Sequence, residues 1–496
     1  MSRREGSPGA EAKGDSMGTK RNHGEPPAWL AMIAGMAAGG LGWGIRGQYG
    51  HETGAMLSGV LVGAALLCVL GGRLGWSSSL RAVAMLAVGV GFGGAETYGQ
   101  TIGLTQNPEV VGNVRALVWG SAGLFVKGAV WIGIGAAFFG SALGGVAWRR
   151  REMAAVLLGM LALWLAGEWL FHRPFDPARG ALPPLYFSAS HHWYPDQADP
   201  KSRVERWGGL LLAWAGLMLW RGVVRRDGLC ARLGWAGFVA GGIGFAGGQC
   251  IQSAHAWHPE SFRRVLGDWD GLINWWNMME IAFGSIWGAG VGWGLSRWRS
   301  RIREPFPEHR ATAVLPTSVL LAMQLAALFV WSFRSVPAFD AVADRAVPMG
   351  LIPLVLAAGG GWPAALVALP LTAAPILAKT YEALSVNQGV LSASAGMAAL
   401  VAGPTAVLVT GLPWTWSREG SRATAAALIA AVLAYGWVNF AFVGFPWPWN
   451  PPTGRTVSQW IFAADSALLF AIALRAWRGD GHRGGGSGTD ATLKAR

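Results

Sequence analysis

ALVWGSAGLFVKGAVWIGIGAAFFGSALGGVAWRRR, residues 116–151, is written for lipid: one charge, Lys127, interrupts an apolar run that closes on Arg149, Arg150 and Arg151. About 20 apolar residues span a hydrocarbon layer about 30 Å thick, because each adds about 1.5 Å to a helix. The same grammar of apolar run and charged edge repeats along the chain. Of 496 residues, 52% are hydrophobic, 14% are charged and 73 are Gly. A soluble domain carries about 25% charged residues and about 7% Gly. A soluble globular enzyme and a disordered chain are therefore excluded.

The net charge of +13 could suit nucleic acid, but the charges stand at the ends of apolar segments, as Arg297, Arg299, Arg301 and Arg303 do. That placement is membrane topology, and no nucleic-acid partner is expected. Cys68 lies in an apolar run, and Cys230 and Cys250 fall on opposite sides of the expected topology, so no disulfide framework or zinc motif is built from them. Residues 1–27 are polar and have no apolar core, which predicts no cleavable signal.

The fold class read from these runs is an all-α, polytopic helical membrane protein of about fourteen transmembrane helices. The spans begin near Trp29, Gly54, Arg81, Ala116, Met153, Trp207, Leu233, Leu272, Thr312, Val347, Trp362, Gly389, Ala423 and Val457. Pro353, Pro363, Pro370, Pro375 and Pro404 break the tenth to twelfth, which are complete spans or re-entrant segments. Lys and Arg are about twice as frequent on the side of the termini as opposite, which predicts an inner-membrane protein with both termini cytoplasmic. The longest connection, residues 172–206, is then external.

Gly91-Phe92-Gly93 reads like Gly244-Phe245-Ala246, and Trp119, Gly128 and Trp131 correspond to Trp275, Gly284 and Trp287 at one offset. The expected organisation is a parallel internal repeat of two four-helix units, 28–148 and 153–297, within a core at 28–297. A basic cytoplasmic loop at 298–311 and a six-helix bundle at 312–477 follow. Disordered cytoplasmic tails are expected at 1–27 and 478–496.

Gly42-Trp43-Gly44-Ile45-Arg46-Gly47 matches a dinucleotide fingerprint, but it lies in an apolar span and lacks the strand that motif requires. Glycine pairs four apart, such as Gly35 and Gly39 or Gly284 and Gly288, predict close helix packing. Trp76, Trp148, Trp207, Trp298 and Trp477 sit at span ends and read as an interfacial belt.

Ionisable groups inside spans are costly, at about 2.5 to 3.5 kcal/mol near a helix centre, and imply a partner, water or a task. They are Glu96, Lys127, Glu168, Glu280 and Asp465, all in the expected external half. Arg46, Gln48, His51, Glu52, Gln100, Gln249, Gln252 and Asn277 gather at the same level and predict a hydrated cavity open outward. The substrate-binding set is Arg46, Gln48, Glu96, Gln100, Lys127, Glu168, Gln249, Gln252, Asn277 and Glu280. Superposing the repeats sets Lys127 three residues from Glu280 on equivalent helices, which predicts a Lys127–Glu280 pair. His255 and His258 share a helix face and are the candidate metal ligands, though no zinc motif is present. No motif implies a cofactor.

Two functions fit. The first is secondary transport of a small polar or anionic solute through the repeat core. The second is a membrane-embedded transferase or hydrolase acting on a lipid-linked or external substrate at the outer leaflet. His51, Glu52 or Glu96 would then be the general base and Arg46 an anion clamp. Both place the chain in a lipid bilayer; span count and repeat favour transport.

Overall fold

The computed structural model describes residues 26–47, 52–71, 74–94, 99–171, 207–303, 389, 392, 394–395, 420–445 and 447–479. Among them the protein is all-helical, with twelve α-helices and no strand. These are α1 (Ala28–Arg46), α2 (Glu52–Leu70), α3 (Trp76–Gly93), α4 (Gly99–Gln106), α5 (Val114–Leu143) and α6 (Arg150–Phe171). They continue as α7 (Trp207–Leu217), α8 (Gly228–Trp257), α9 (Pro259–Leu266), α10 (Trp275–Arg297), α11 (Gly420–Val443) and α12 (Thr456–Gly479). A π-helical turn, Met218–Val224, extends α7.

Side-chain caps fix three of the starts. Asn113 accepts from Ala116 N at the head of α5, Asp227 from Cys230 N at the head of α8, and Asn274 from Asn277 N at the head of α10. His258-Pro259 ends α8, since proline at N1 opens a new helix and gives the old one no further donor.

Ten of these helices coincide with expected spans, while α4 and α9 are short helices that no apolar run announced. Among the described residues, six segments are long and apolar enough to cross a membrane by length and composition: 28–46, 114–143, 151–171, 207–224, 228–257 and 456–478. The ninth to twelfth expected spans and the loop at 172–206 lie outside the described residues. Fourteen spans and paired four-helix units therefore remain expectations.

The helices α1, α2, α3, α5, α8 and α10 pack in that order, and α10 returns to α1, closing a six-helix ring. Glycine makes the closest seams. On α1 and α10 a Cβ added to Gly35 would strike the Gly288 carbonyl, and one on Gly39 would strike that of Gly284, with the reverse also true. Gly128 of α5 and Gly241 of α8 meet in the same reciprocal way. Backbones this near gain dispersion contact that larger residues would prevent, which is how helices associate in a solvent as apolar as themselves. The fingerprint glycines serve this packing too: Gly42 lies against Ser58 of α2 and Gly44 against Phe462 of α12.

Outside the ring, α6 and α7 pack on one another, and α11 with α12 covers α1, α2 and α3. Leu158, Leu165 and Trp169 of α6 and Trp235, Val239 and Ile243 of α8 turn outward at helical spacing and are exposed. Apolar faces of this kind suit lipid contact. The chain is that of a membrane-embedded helical protein.

Arginine anchors one end of the ring. Arg221, fully enclosed in the π-turn, lies 2.6 Å from Asp227 and 3.4 Å from Glu152, with its guanidinium 4.0 Å from the ring of Trp148. Trp148, expected in the interfacial belt, thus has a structural charge to cover.

Candidate functional site

The opposite end of the ring gathers the expected polar residues. Arg46 is the last residue of α1 and is 1% exposed, and its Nη2 lies 3.3 Å from Glu280 Oε1 on α10. Glu280 also accepts from Trp276 Nε1 at 3.3 Å and from Asn277 Nδ2 at 3.2 Å. Asn277 Nδ2 donates as well to the Gly44 carbonyl, at 2.6 Å. That carbonyl is among the last of α1, which no further turn of helix can satisfy. One side chain therefore caps α1 and orients the acid that pairs with α1's arginine.

Beneath these groups lies an aromatic floor. The Arg46 guanidinium stands 4.9 Å from the Trp43 ring and 5.5 Å from the Trp131 ring. Trp43 meets Trp131, Phe283 and Trp287 edge to face, at centroid distances of 4.9, 4.4 and 6.2 Å. Rings facing a guanidinium offer cation–π attraction that strengthens without water. Trp207, expected at the interface, is fully buried beside Trp131, with centroids 5.6 Å apart.

Lys127 reaches the same level from α5, one turn before Trp131. Its ammonium donates to Thr101 Oγ1 and stands 5.6 Å from the Trp207 ring. The expected Lys127–Glu280 pair is corrected here: Glu280 pairs with Arg46, which closes the α1–α10 seam, and Lys127 turns to α4. Superposing two helices fixed their depth but not which neighbour each one faces.

Gln249 extends the network, donating to Thr105 Oγ1 at 2.8 Å, Gln106 Oε1 at 3.3 Å and Ser253 Oγ at 3.3 Å. Trp257 Nε1 donates to the Thr105 carbonyl at 2.9 Å. Gln252 is buried one turn from Gln249, and the Oε1 atoms of both accept no hydrogen bond among the described residues. Thr101 and Thr105 were missed in the sequence. Their spacing puts them on one face of a short helix, and that polar pair beside Gln100 and Gln106 was the available signal.

The structure thus brings together Arg46, Lys127, Gln249, Gln252, Asn277 and Glu280. Glu168 is half-buried near the end of α6, a helix outside the ring. Gln48, His51 and Glu96 lie outside the described residues, as do the side chains of Glu52 and Gln100. The candidate metal ligands do not converge. His255 Nε2 lies 3.2 Å from Asp270 Oδ1 and its ring stacks on Trp275, whereas His258 is exposed at the α8–α9 break. Among the described residues, no three His, Cys, Asp or Glu side chains group to hold a metal.

This arrangement can present a fixed cation, a fixed anion and amide oxygens to a polar molecule above an apolar base. No family model, curated protein or solved structure matches this chain.

Proposed function

We propose that the protein is a secondary transporter of a small polar or anionic solute. The observation that carries this reading is the meeting of Arg46, Glu280 and Lys127, from three ring helices, over the packed rings of Trp43, Trp131 and Trp207. A transporter needs polar groups at depth and a barrier beyond them, and the aromatic floor supplies the barrier. Releasing the solute to the other face requires the floor to part, which the smooth glycine seams of α1–α10 and α5–α8 favour.

The proposal extends to the architecture: an inner-membrane protein of fourteen spans, with cytoplasmic termini and a parallel repeat. Gly128 and Gly284, equivalent in the proposed repeat, each sit in a reciprocal glycine contact, with Gly241 of α8 and Gly39 of α1 respectively. The binding set is Arg46, Lys127, Gln249, Gln252, Asn277 and Glu280, joined by Gln48, Glu96, Gln100 and Glu168.

Uptake into proteoliposomes against a panel of radiolabelled polar and anionic solutes tests the reading. Accumulation that Lys127→Ala and Glu280→Gln abolish supports it. Chemical turnover of a substrate without accumulation overturns it in favour of a membrane-embedded transferase or hydrolase.

A further inference from the structure

We propose that Asp465, Ser285 and the bare backbone at Gly40 form a site for a small, hard monovalent cation of the Na+ class. The site is distinct from the Arg46–Glu280 pair. It arises where α12 lies along α1, with Phe462 packed on Gly44 and Asp465 one turn further on, beside Gly40. A Cβ at Gly40 would meet Ser285 Oγ at 2.6 Å and Asp465 Oδ2 at 3.3 Å, so oxygens from α10 and α12 converge on one point at the surface of α1.

Neither oxygen takes part in a hydrogen bond or ion pair among the described residues, with each other or with a third group. A carboxylate and a hydroxyl that converge on one point without bonding each other are a pair of oxygens that a hard cation can coordinate together. Both residues are half-buried.

Charge balance points the same way. An ionised carboxylate in the middle of an apolar helix requires a compensating charge. The charged residues of the surrounding helices are Arg46 on α1, Glu52 on α2, Glu280 and Arg297 on α10, and Arg422 on α11. All stand within two turns of a helix end. Arg475 and Arg478 sit in the last two turns of α12 itself. Among the described residues, the helices around it bring no cation to the depth of Asp465, and a bound cation supplies one. Gly40 precedes Arg46 by six residues, about 9 Å along α1, and Ser285 follows Glu280 on α10. The cation and the Arg46–Glu280 pair therefore share two helices without sharing a ligand.

Equilibrium binding of radioactive Na+ to the purified full-length protein in detergent tests the site, with no solute present, so the result is independent of transport. Wild type is expected to bind saturably, with displacement by unlabelled Na+ and none by choline. Asp465→Asn is expected to weaken binding at least about tenfold, and Ser285→Ala several-fold, as loss of a metal's supporting groups does. Should Asp465→Asn fail to yield monodisperse protein, Ser285→Ala and the notch-filling Gly40→Ala carry the test through the same loss. Wild type without saturable binding, or binding that these changes leave intact, overturns the site. Proton uptake at Asp465 that is indifferent to Na+ overturns it equally.

Discussion

Arg46 and Glu280 are 234 residues apart in sequence and 3.3 Å apart in space, each almost fully enclosed. A buried pair repays its desolvation only with good geometry and further hydrogen bonds, which Asn277 and Trp276 supply. Removing one partner alone leaves the other charge enclosed. Glu280→Ala is expected to lower stability by about 3 to 5 kcal/mol, while Arg46→Met with Glu280→Leu recovers most of the loss. Thermal unfolding in detergent of both single variants and the double variant checks this; equal, additive losses would refute it.

Asn277 serves two masters, the Gly44 carbonyl and the Glu280 carboxylate. Asn277→Asp keeps the shape, removes the donor and sets two acids side by side, so it is expected to destabilise more than Asn277→Ala. The alanine change should cost about 1 to 3 kcal/mol, the value of an unsatisfied buried carbonyl. Denaturant titration ranks the two, and a milder effect for aspartate would contradict the geometry.

Glycine substitutions should divide by location. Gly39→Ala and Gly284→Ala drive a methyl into a facing carbonyl, and each is expected to cost about 1 to 3 kcal/mol. Gly159 on α6 faces nothing within 4 Å. Gly159→Ala is expected to be neutral or stabilising by up to about 1 kcal/mol, through helix propensity alone. Melting temperatures of the three variants read the contrast directly.

At the other end of the ring, Asp227 both caps α8 and pairs with Arg221. Asparagine keeps the cap and loses the charge, whereas alanine loses both. Asp227→Asn is expected to destabilise by removing the shorter of Arg221's two carboxylate contacts, leaving Glu152 as its counter-charge, and Asp227→Ala by about 1 kcal/mol more. Equal losses would show that the cap contributes nothing.

Helix class and the positions of ten long helices were legible because apolar length and charged edges are local properties. The packing glycines were legible for the same reason, since Gly35, Gly39, Gly284 and Gly288 keep a fixed spacing. The depth of Arg46, Lys127 and Glu280 followed from counting residues along spans. Their pairing did not, because it depends on which helices are neighbours, and α10 closes onto α1 rather than meeting α5 at Glu280. Trp207 read as an interfacial ring because position in a span sets depth and leaves direction open. The short α4, with Thr101 and Thr105, carried no apolar run to reveal it.

Ring closure between the first helix and the tenth has a consequence for biogenesis. Glu280 leaves the ribosome 234 residues after Arg46, a delay of about 10 to 50 seconds at ordinary elongation rates. Through that interval α1 sits in the translocon or the bilayer with its glycine face uncovered and its terminal arginine lacking the acid it will later meet. The nascent chain is thus held incomplete until the last stave arrives, and a chaperone or lateral gate that shelters α1 would govern how much of the product assembles correctly.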